Sequence, residues 1–181
     1  VRFEKNGEKD YRPFAYQMGK WEMTTPASPR PLYRLPELLN SEDMLFVCEG
    51  EKAADAVRSL GLLATTSICG ASSAGRTDWS PLDARDVLLL PDNDSDGQKY
   101  AASVQAQLRK HAPLAKVRIM TLPGLPPKGD AADYVLARSA DDRSTSDIAA
   151  EFLRLAHDAG KPTKGERVND PSPATPFPIH L

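Results

Sequence analysis

The sequence predicts an α/β fold, a mostly parallel sheet of about four strands flanked by helices, preceded by a small N-terminal antiparallel β meander. Three observations carry this. Between residues 44 and 157, apolar runs of strand length alternate with stretches whose apolar residues recur every three or four positions. Their β-α-β-β-α-β-α order needs crossovers that set the strands parallel. The run 86–90 is apolar without alternation, as strands covered on both faces are. Residues 1–24, by contrast, are short, aromatic and β-prone, with turns marked by Asn6-Gly7 and Gly19.

Taken in order, the meander is read over 1–4, 11–17 and 20–24. Pro26, Pro29, Pro31 and Pro36 then make an extended connection, because proline lacks the N–H that helices and central strands use. A short helix over 35–40 has Pro36 in its first turn. The run 44–48 is the first strand of the sheet. A helix over 51–60 follows, with Ala53, Ala56, Val57 and Leu60 on one face and Gly61 as its stop. A second strand over 62–67 leads into the small-residue loop 69–75. The third strand is 86–90, the next helix 97–111 with Tyr100, Val104 and Leu108 aligned, and the fourth strand 116–122. Helices over 130–138 and 146–157 close the series, the latter with Ile148, Phe152 and Leu155 on one side. Pro162, Pro171, Pro173, Pro176 and Pro178 make the end a Pro-rich linker. The organisation expected is therefore 1–30 meander, 31–160 α/β domain and 161–181 linker. Opening on Val1 rather than Met suggests a piece of a longer protein.

With 181 residues, 40% hydrophobic and 27% charged, the chain has the means for one domain with a real core. A net charge of -2 excludes a general basic coat, so any nucleic-acid contact must be a local patch. Cys48 and Cys69 cannot make a disulfide framework and form no CxxC pair, which argues against a zinc site and fits a reducing, cytoplasmic setting. The longest apolar runs are too short to span a bilayer, so no membrane partner is expected.

Parallel sheets bind ligands beyond the carboxyl ends of their strands. The first strand runs into Glu49-Gly50, and the third into Pro91-Asp92-Asn93-Asp94-Ser95-Asp96-Gly97. Both acidic groups therefore come to one edge. Asp92 and Asp94 are two residues apart, so in extended chain they point the same way. With Glu49 they offer three carboxylates to one hard cation, and Mg²⁺ takes oxygen ligands of this kind together with waters and phosphate. A solvated turn has the same composition. A calcium loop is disfavoured by the strand before it and by Ser103 at the twelfth position. Asp96 is read first as a helix N-cap and second as an outer-sphere metal contact. Trp21 and Trp79 are assigned to packing ahead of base stacking. Cys48 is assigned to the core, and His111 to the dipole at a helix end. The loop 70–75 has no Gly-Lys-Ser/Thr ending and so no Walker pattern.

The segments 46–56 (Phe-Val-Cys-Glu-Gly-Glu-Lys-Ala-Ala-Asp-Ala) and 88–97 (Leu-Leu-Leu-Pro-Asp-Asn-Asp-Ser-Asp-Gly) resemble the two signature motifs of Toprim domains. Such domains are shared by bacterial and phage primases, type IA and type II topoisomerases and overcoming-lysogenization-defect nucleases. Residues 127–134 (Pro-Lys-Gly-Asp-Ala-Ala-Asp-Tyr) are similar to the later Lys-Asp segment of primase-type members, and 31–39 to the lead-in of phage- and plasmid-derived primase-helicase proteins. The resemblance covers about residues 40–140. It implies a Rossmann-like Toprim fold and a Mg²⁺-dependent (or Mn²⁺-dependent) nucleotidyl transfer making RNA primers on single-stranded DNA from nucleoside triphosphates. A helicase/ATPase domain of the same longer protein is the implied partner.

In that reading Glu49 is the catalytic acid/base or a metal ligand, Asp92 and Asp94 bind the metal, and Asp130 adds to it. Lys128 is the best placed of the lysines for catalysis. Lys52, Arg76, Lys99 and Asp133 meet nucleotide or nucleic acid. Asp130 and Asp133 have a plainer reading as the cap and first turn of a helix. The alternatives are a Toprim nuclease or topoisomerase fragment, and a catalytically inactive DNA-binding Toprim module. A receiver-like or phosphatase-like domain is disfavoured because Glu49 stands where a nucleophilic Asp should end the first strand.

Overall fold

The computed structural model describes residues 2–5, 8–11 and 13–160. The predicted linker 161–181 lies outside them. At the N-terminus, β1 (Arg2–Lys5) pairs with β2 (Glu8–Tyr11), and β3 (Ala15–Gln17) with β4 (Lys20–Glu22), both antiparallel. The antiparallel expectation thus appears as two separate two-stranded sheets. The short helix α1 (Leu35–Leu39) follows the proline-rich connection.

The α/β body holds β5 (Leu45–Cys48), α2 (Glu51–Arg58), β6 (Leu63–Thr65), β7 (Asp86–Leu90), α3 (Ser95–His111), β8 (Lys116–Ile119), α4 (Ala131–Ala140) and α5 (Thr145–Asp158). Two 3₁₀ segments, Ala71–Arg76 and Ser80–Leu82, fill the β6–β7 connection. Gly61 follows α2 at φ +79, the left-handed backbone that ends a helix without steric cost to glycine.

All four strands of the main sheet are parallel, in the order β6-β5-β7-β8. Because β6 lies on one side of β5 and β7 on the other, the chain reverses its direction of travel across the sheet between β5 and β7. That reversal is the topological switch point, where loops diverge and leave a crevice. Register pairs Cys48 with Leu90, so the two strands end level.

The period of two along the strands sorts the core into two layers. Phe46, Cys48, Leu88 and Leu90 face α2, α4 and α5, meeting Ala54, Val57, Tyr134, Ile148 and Phe152. Leu45, Val47, Val87 and Leu89 face the other way, onto α1, α3 and the 3₁₀ segments, meeting Leu38, Trp79, Tyr100, Val104 and Leu108. Phe152 makes edge-on contacts with Phe46 and Tyr134 at centroid distances of 5.9 and 5.5 Å. Truncating it would cost about 3–5 kcal/mol.

Trp79 and Cys48 are fully buried, as the sequence suggests, and Trp79 donates its indole N–H to the Ala74 carbonyl at 2.8 Å. Trp21 departs from the packing expectation. It is 67% exposed, on a sheet of two strands that no layer of the described residues covers on that face.

Candidate active site at the β5–β7 switch point

β5 delivers Glu49 and Gly50 at its carboxyl end, and β7 delivers Asp92 beside them. α4 begins across the gap at Asp130. Glu49, Gly50, Lys52, Ala53, Gly70, Asp92 and Asp130 line an open cleft of about 260 Å³. The helices α2, α3 and α4 start at Gly50, Asp94 and Asp130, so three positive helix ends face the same acidic region.

The start of α3 is built tightly. Asp94 has extended backbone, and its Oδ1 accepts the Asp96 and Gly97 amides at 2.9 and 2.8 Å. Asp94 is therefore the N-cap, which corrects the assignment of that role to Asp96. Capping requires the residue just before the first helical turn, and Asp96 is already inside it. Asp96 instead pairs with Lys99 at 2.7 Å on the exposed surface, and the ammonium holds its carboxyl below the usual range. Gly97 is dictated by space. A Cβ there would stand 2.4 Å from the Asp92 carbonyl oxygen and 2.7 Å from its nitrogen.

The loop carrying Lys128 is fastened to the β7 end through Asn93, which sequence reasoning did not single out. Its amide N–H donates to the Gly129 carbonyl at 2.9 Å, and its carbonyl accepts from the Lys128 amide at 3.0 Å. The Nδ2 group donates to the carbonyls of Leu125 and Pro126. Its only sequence signal is the position between two strand-end aspartates. Asp130 follows as the N-cap of α4 in a reciprocal capping box. Its Oδ1 accepts the Asp133 amide at 2.9 Å, and the Asp133 carboxylate accepts the Asp130 amide at 3.0 Å.

The two sides of the cleft differ in charge balance. Lys52 places its Nζ 3.0 Å from Asp130 Oδ2 and 3.5 Å from Asp133 Oδ1. On the other side, Glu49 Oε2 is enclosed with no hydrogen-bond partner among the described residues. Burial, with Asp94 and Asp96 nearby, pushes the Glu49 carboxyl up. Asp92 is pushed up to about 7, first by burial and then by the carboxylates of Glu49, Asp130, Asp94 and Asp133. Crowded carboxylates that resist ionising together form a donor set suited to a hard cation.

Among the described residues no three such groups are drawn together as a ready metal cage. Mg²⁺ does not require one, since it keeps several waters and takes one or two carboxylates plus substrate phosphate. By the chemistry of the donors and the orphaned Glu49 oxygen, Glu49 and Asp92, with Asp94 beside them, fit such an ion. Asp130 has Oδ1 in its helix cap and Oδ2 on Lys52.

Of the other sequence-stated candidates, Asp133 is drawn to the cleft only through the capping box and Lys52. Lys128 is exposed at φ +63, and its charge reaches Asp96 rather than the cleft lining. Lys99 is held by Asp96, and Arg76 is exposed at the end of the 3₁₀ segment 71–76. His111 falls in the last turn of α3. The tyrosines Tyr100 and Tyr134 are engaged internally, the first buried against Ser67 and the second donating to Glu151 at 2.8 Å. None of the described helices is long and apolar enough to cross a membrane.

No protein-family model matches the chain, and no curated protein is similar to it. Two solved structures share part of its backbone course. One is a chain of the bacteriophage T7 lagging-strand DNA polymerase structure, in which the polymerase interacts with primase domains of two gp4 subunits bound to an RNA/DNA hybrid and dTTP. It is 18% identical, with a TM-score of 0.49, over 78% of this chain and 66% of that one. The other is the primase fragment of the bacteriophage T7 primase-helicase protein, 17% identical, with a TM-score of 0.44, over 74% of this chain and 52% of that one. This chain thus spans about half to two thirds of those structures' length.

Proposed function

We propose that the cleft is the catalytic site of a Toprim-type primase domain, which joins nucleotides into short RNA primers on a single-stranded DNA template. The observation that carries this reading is the meeting of Glu49 with Asp92 and Asp94 at adjacent strand ends, with Glu49 Oε2 enclosed and without a hydrogen-bond partner among the described residues. Nucleotidyl transfer needs a site that gathers cations around a phosphate and holds attacking and leaving oxygens in line. Mg²⁺ held by Glu49 and Asp92, with Asp94 adjoining, would supply the charge neutralisation there.

The chain's own residues do the rest. The positive end of α2, which has no side-chain cap, favours phosphate oxygens within the acidic surroundings, whereas amides at the starts of α3 and α4 are already taken by Asp94 and Asp130. Glu49, with its carboxyl pushed up by burial, would take the 3′-hydroxyl proton where it is not itself holding the metal. Lys52 keeps Asp130 and Asp133 in place and stands at the rim to meet an incoming phosphate. A helicase/ATPase partner within a longer protein belongs to the same proposal.

The engagement of Tyr100 and Tyr134 in internal hydrogen bonds supports primer synthesis over strand cleavage by either of these tyrosines. The test is calorimetric titration of Mg²⁺ into the wild-type chain and the Asp92→Ala/Asp94→Ala double variant, with and without nucleoside triphosphate, followed by primer synthesis on single-stranded DNA. Binding and synthesis lost together in the variant support the reading. Equal weak binding in both, with no synthesis, leaves an inactive DNA-binding module in its place.

A further inference from the structure

Five large hydrophobic side chains are exposed within ten residues: Phe14, Tyr16, Met18, Trp21 and Met23. Among the described residues, every exposed large hydrophobic that is aromatic lies in this stretch. The placement is orderly. Tyr16 and Trp21 are cross-strand partners in the β3–β4 ribbon, with ring centroids 5.5 Å apart and planes tilted by 59°. The strand period of two sets Phe14 and Met23 on the same face. The opposite face holds the buried Ala15 and the Lys20–Glu22 ion pair at 2.8 Å. Tyr16 is 62% exposed and Trp21 67%, so their rings are open to solvent where a folded chain normally hides them.

We propose that this ribbon face is a stacking platform for a single strand of nucleic acid, holding it at the approach to the cleft. The inference rests on the primase reading for its choice of partner and adds the surface that grips it. Exposed aromatic faces accept any base by stacking, without needing a sequence.

Charge favours the same occupant. By sequence, residues 1–30 carry a net charge of +2, with six basic and four acidic residues, against -4 for the remaining seventeen and twenty-one, so the N-terminal stretch repels a polyanion less than the rest, although Arg30 is buried and Lys20 is paired with Glu22. The ribbon is also tethered to the cleft. Seven residues separate β4 from Arg30, a reach of at most about 29 Å. Arg30 is buried against the 3₁₀ segment 71–76, donating to Ser73 Oγ at 2.9 Å, with its amide on the Arg76 carbonyl at 2.7 Å. That segment begins next to Gly70, which lines the cleft.

The chain carries its own reporter, because Trp79 is fully buried and Trp21 is not. Titrating the full chain with a short oligothymidine should quench the Trp21 emission saturably, and duplex DNA of the same length should compete poorly. Anisotropy of a labelled oligonucleotide should show Tyr16→Ala and Trp21→Ala each weakening binding by about tenfold, the loss of roughly one stacked base, with Trp21→Phe retaining most of the affinity. Unchanged affinity in both alanine variants overturns the proposal. So does concentration-dependent self-association that Trp21→Ala abolishes, which would assign the face to a second copy. A wild-type chain that binds Mg²⁺ but no oligonucleotide would refute the platform alone, whereas one that binds oligonucleotide through Tyr16 and Trp21 but no Mg²⁺ would refute only the primase reading.

Discussion

Glu49, Asp92 and Asp94 on one side of the cleft, and Asp130 and Asp133 on the other, are the same functional group placed at strand ends and helix starts. The second set shares an ammonium at hydrogen-bond distance. Asp130 and Asp133 cap each other's backbone and share Lys52, so their charge is satisfied within the fold. Glu49 Oε2 has no hydrogen-bond partner among the described residues, and burial followed by the neighbouring carboxylates pushes the Glu49 and Asp92 carboxyls up. The difference teaches how to tell a structural acid from one reserved for a ligand. A carboxylate that folding alone needs is hydrogen-bonded, whereas one kept for an external cation is left under repulsion.

The comparison can be broken most directly by removing the unbalanced side. If the cleft makes primers as proposed, Asp92→Ala/Asp94→Ala should lower primer synthesis more than about 100-fold, taking the loss of an outer-sphere partner as the lower bound. Asp94 also caps α3, so Asp94→Ala should cost about 1 kcal/mol of stability, seen as a lower urea midpoint. Asp94→Asn keeps a capping oxygen and should lose Mg²⁺ affinity with little change in that midpoint. Equal losses from both substitutions would reduce Asp94 to a cap.

Next in size is Gly97→Ala. Its methyl would collide with the Asp92 backbone, which cannot move without displacing the strand end, so a loss of about 1–3 kcal/mol is expected despite alanine's better helix propensity. Urea unfolding measures it.

The charge imbalance itself is read by pH. A carboxyl raised to about 7 in the fold holds its proton more tightly than in the unfolded chain, where it titrates near the ordinary value of 3.8. The folded state then binds more protons between those limits, so Asp92's contribution to stability falls as pH rises from about 4 to 7. Asp92→Asn should remove that slope, and saturating Mg²⁺ should flatten it in the wild type. A slope unchanged by the substitution would show that Asp92 is not the strained group.

The smallest effect belongs to the balanced side. Lys52→Met breaks an exposed ion pair worth about 0.2–1 kcal/mol, so thermal stability should barely move. Freeing Asp130 and Asp133 should tighten Mg²⁺ binding by a few fold in calorimetry. Weaker binding would mean that Lys52 organises the site instead of balancing it.

Much of this arrangement was legible in the sequence. The uninterrupted apolar run of β7 announced a strand covered on both faces, and the spacing of Ala53 and Val57 announced the inward face of α2. The acidic residues directly after β5 and β7 located the cleft, since parallel strands expose their carboxyl ends together. What escaped was of two kinds. The cap of α3 fell on Asp94 rather than Asp96, because three aspartates in five residues all suit a helix start and only backbone dihedrals choose among them. Trp21 resembled a core residue by type, and no local pattern says whether a two-stranded ribbon will find a covering layer.

Local chemistry therefore specified the elements, their buried faces and the acids at the strand ends, because period, turn residues and capping preference act over a few neighbouring positions. The order β6-β5-β7-β8, the pairing of Lys52 with an aspartate 78 residues away, and the enclosure of Glu49 Oε2 without a hydrogen-bond partner among the described residues were settled by packing. They depend on which distant segments share a low-dielectric crevice, where a single nearby ammonium decides whether a carboxylate is satisfied or strained.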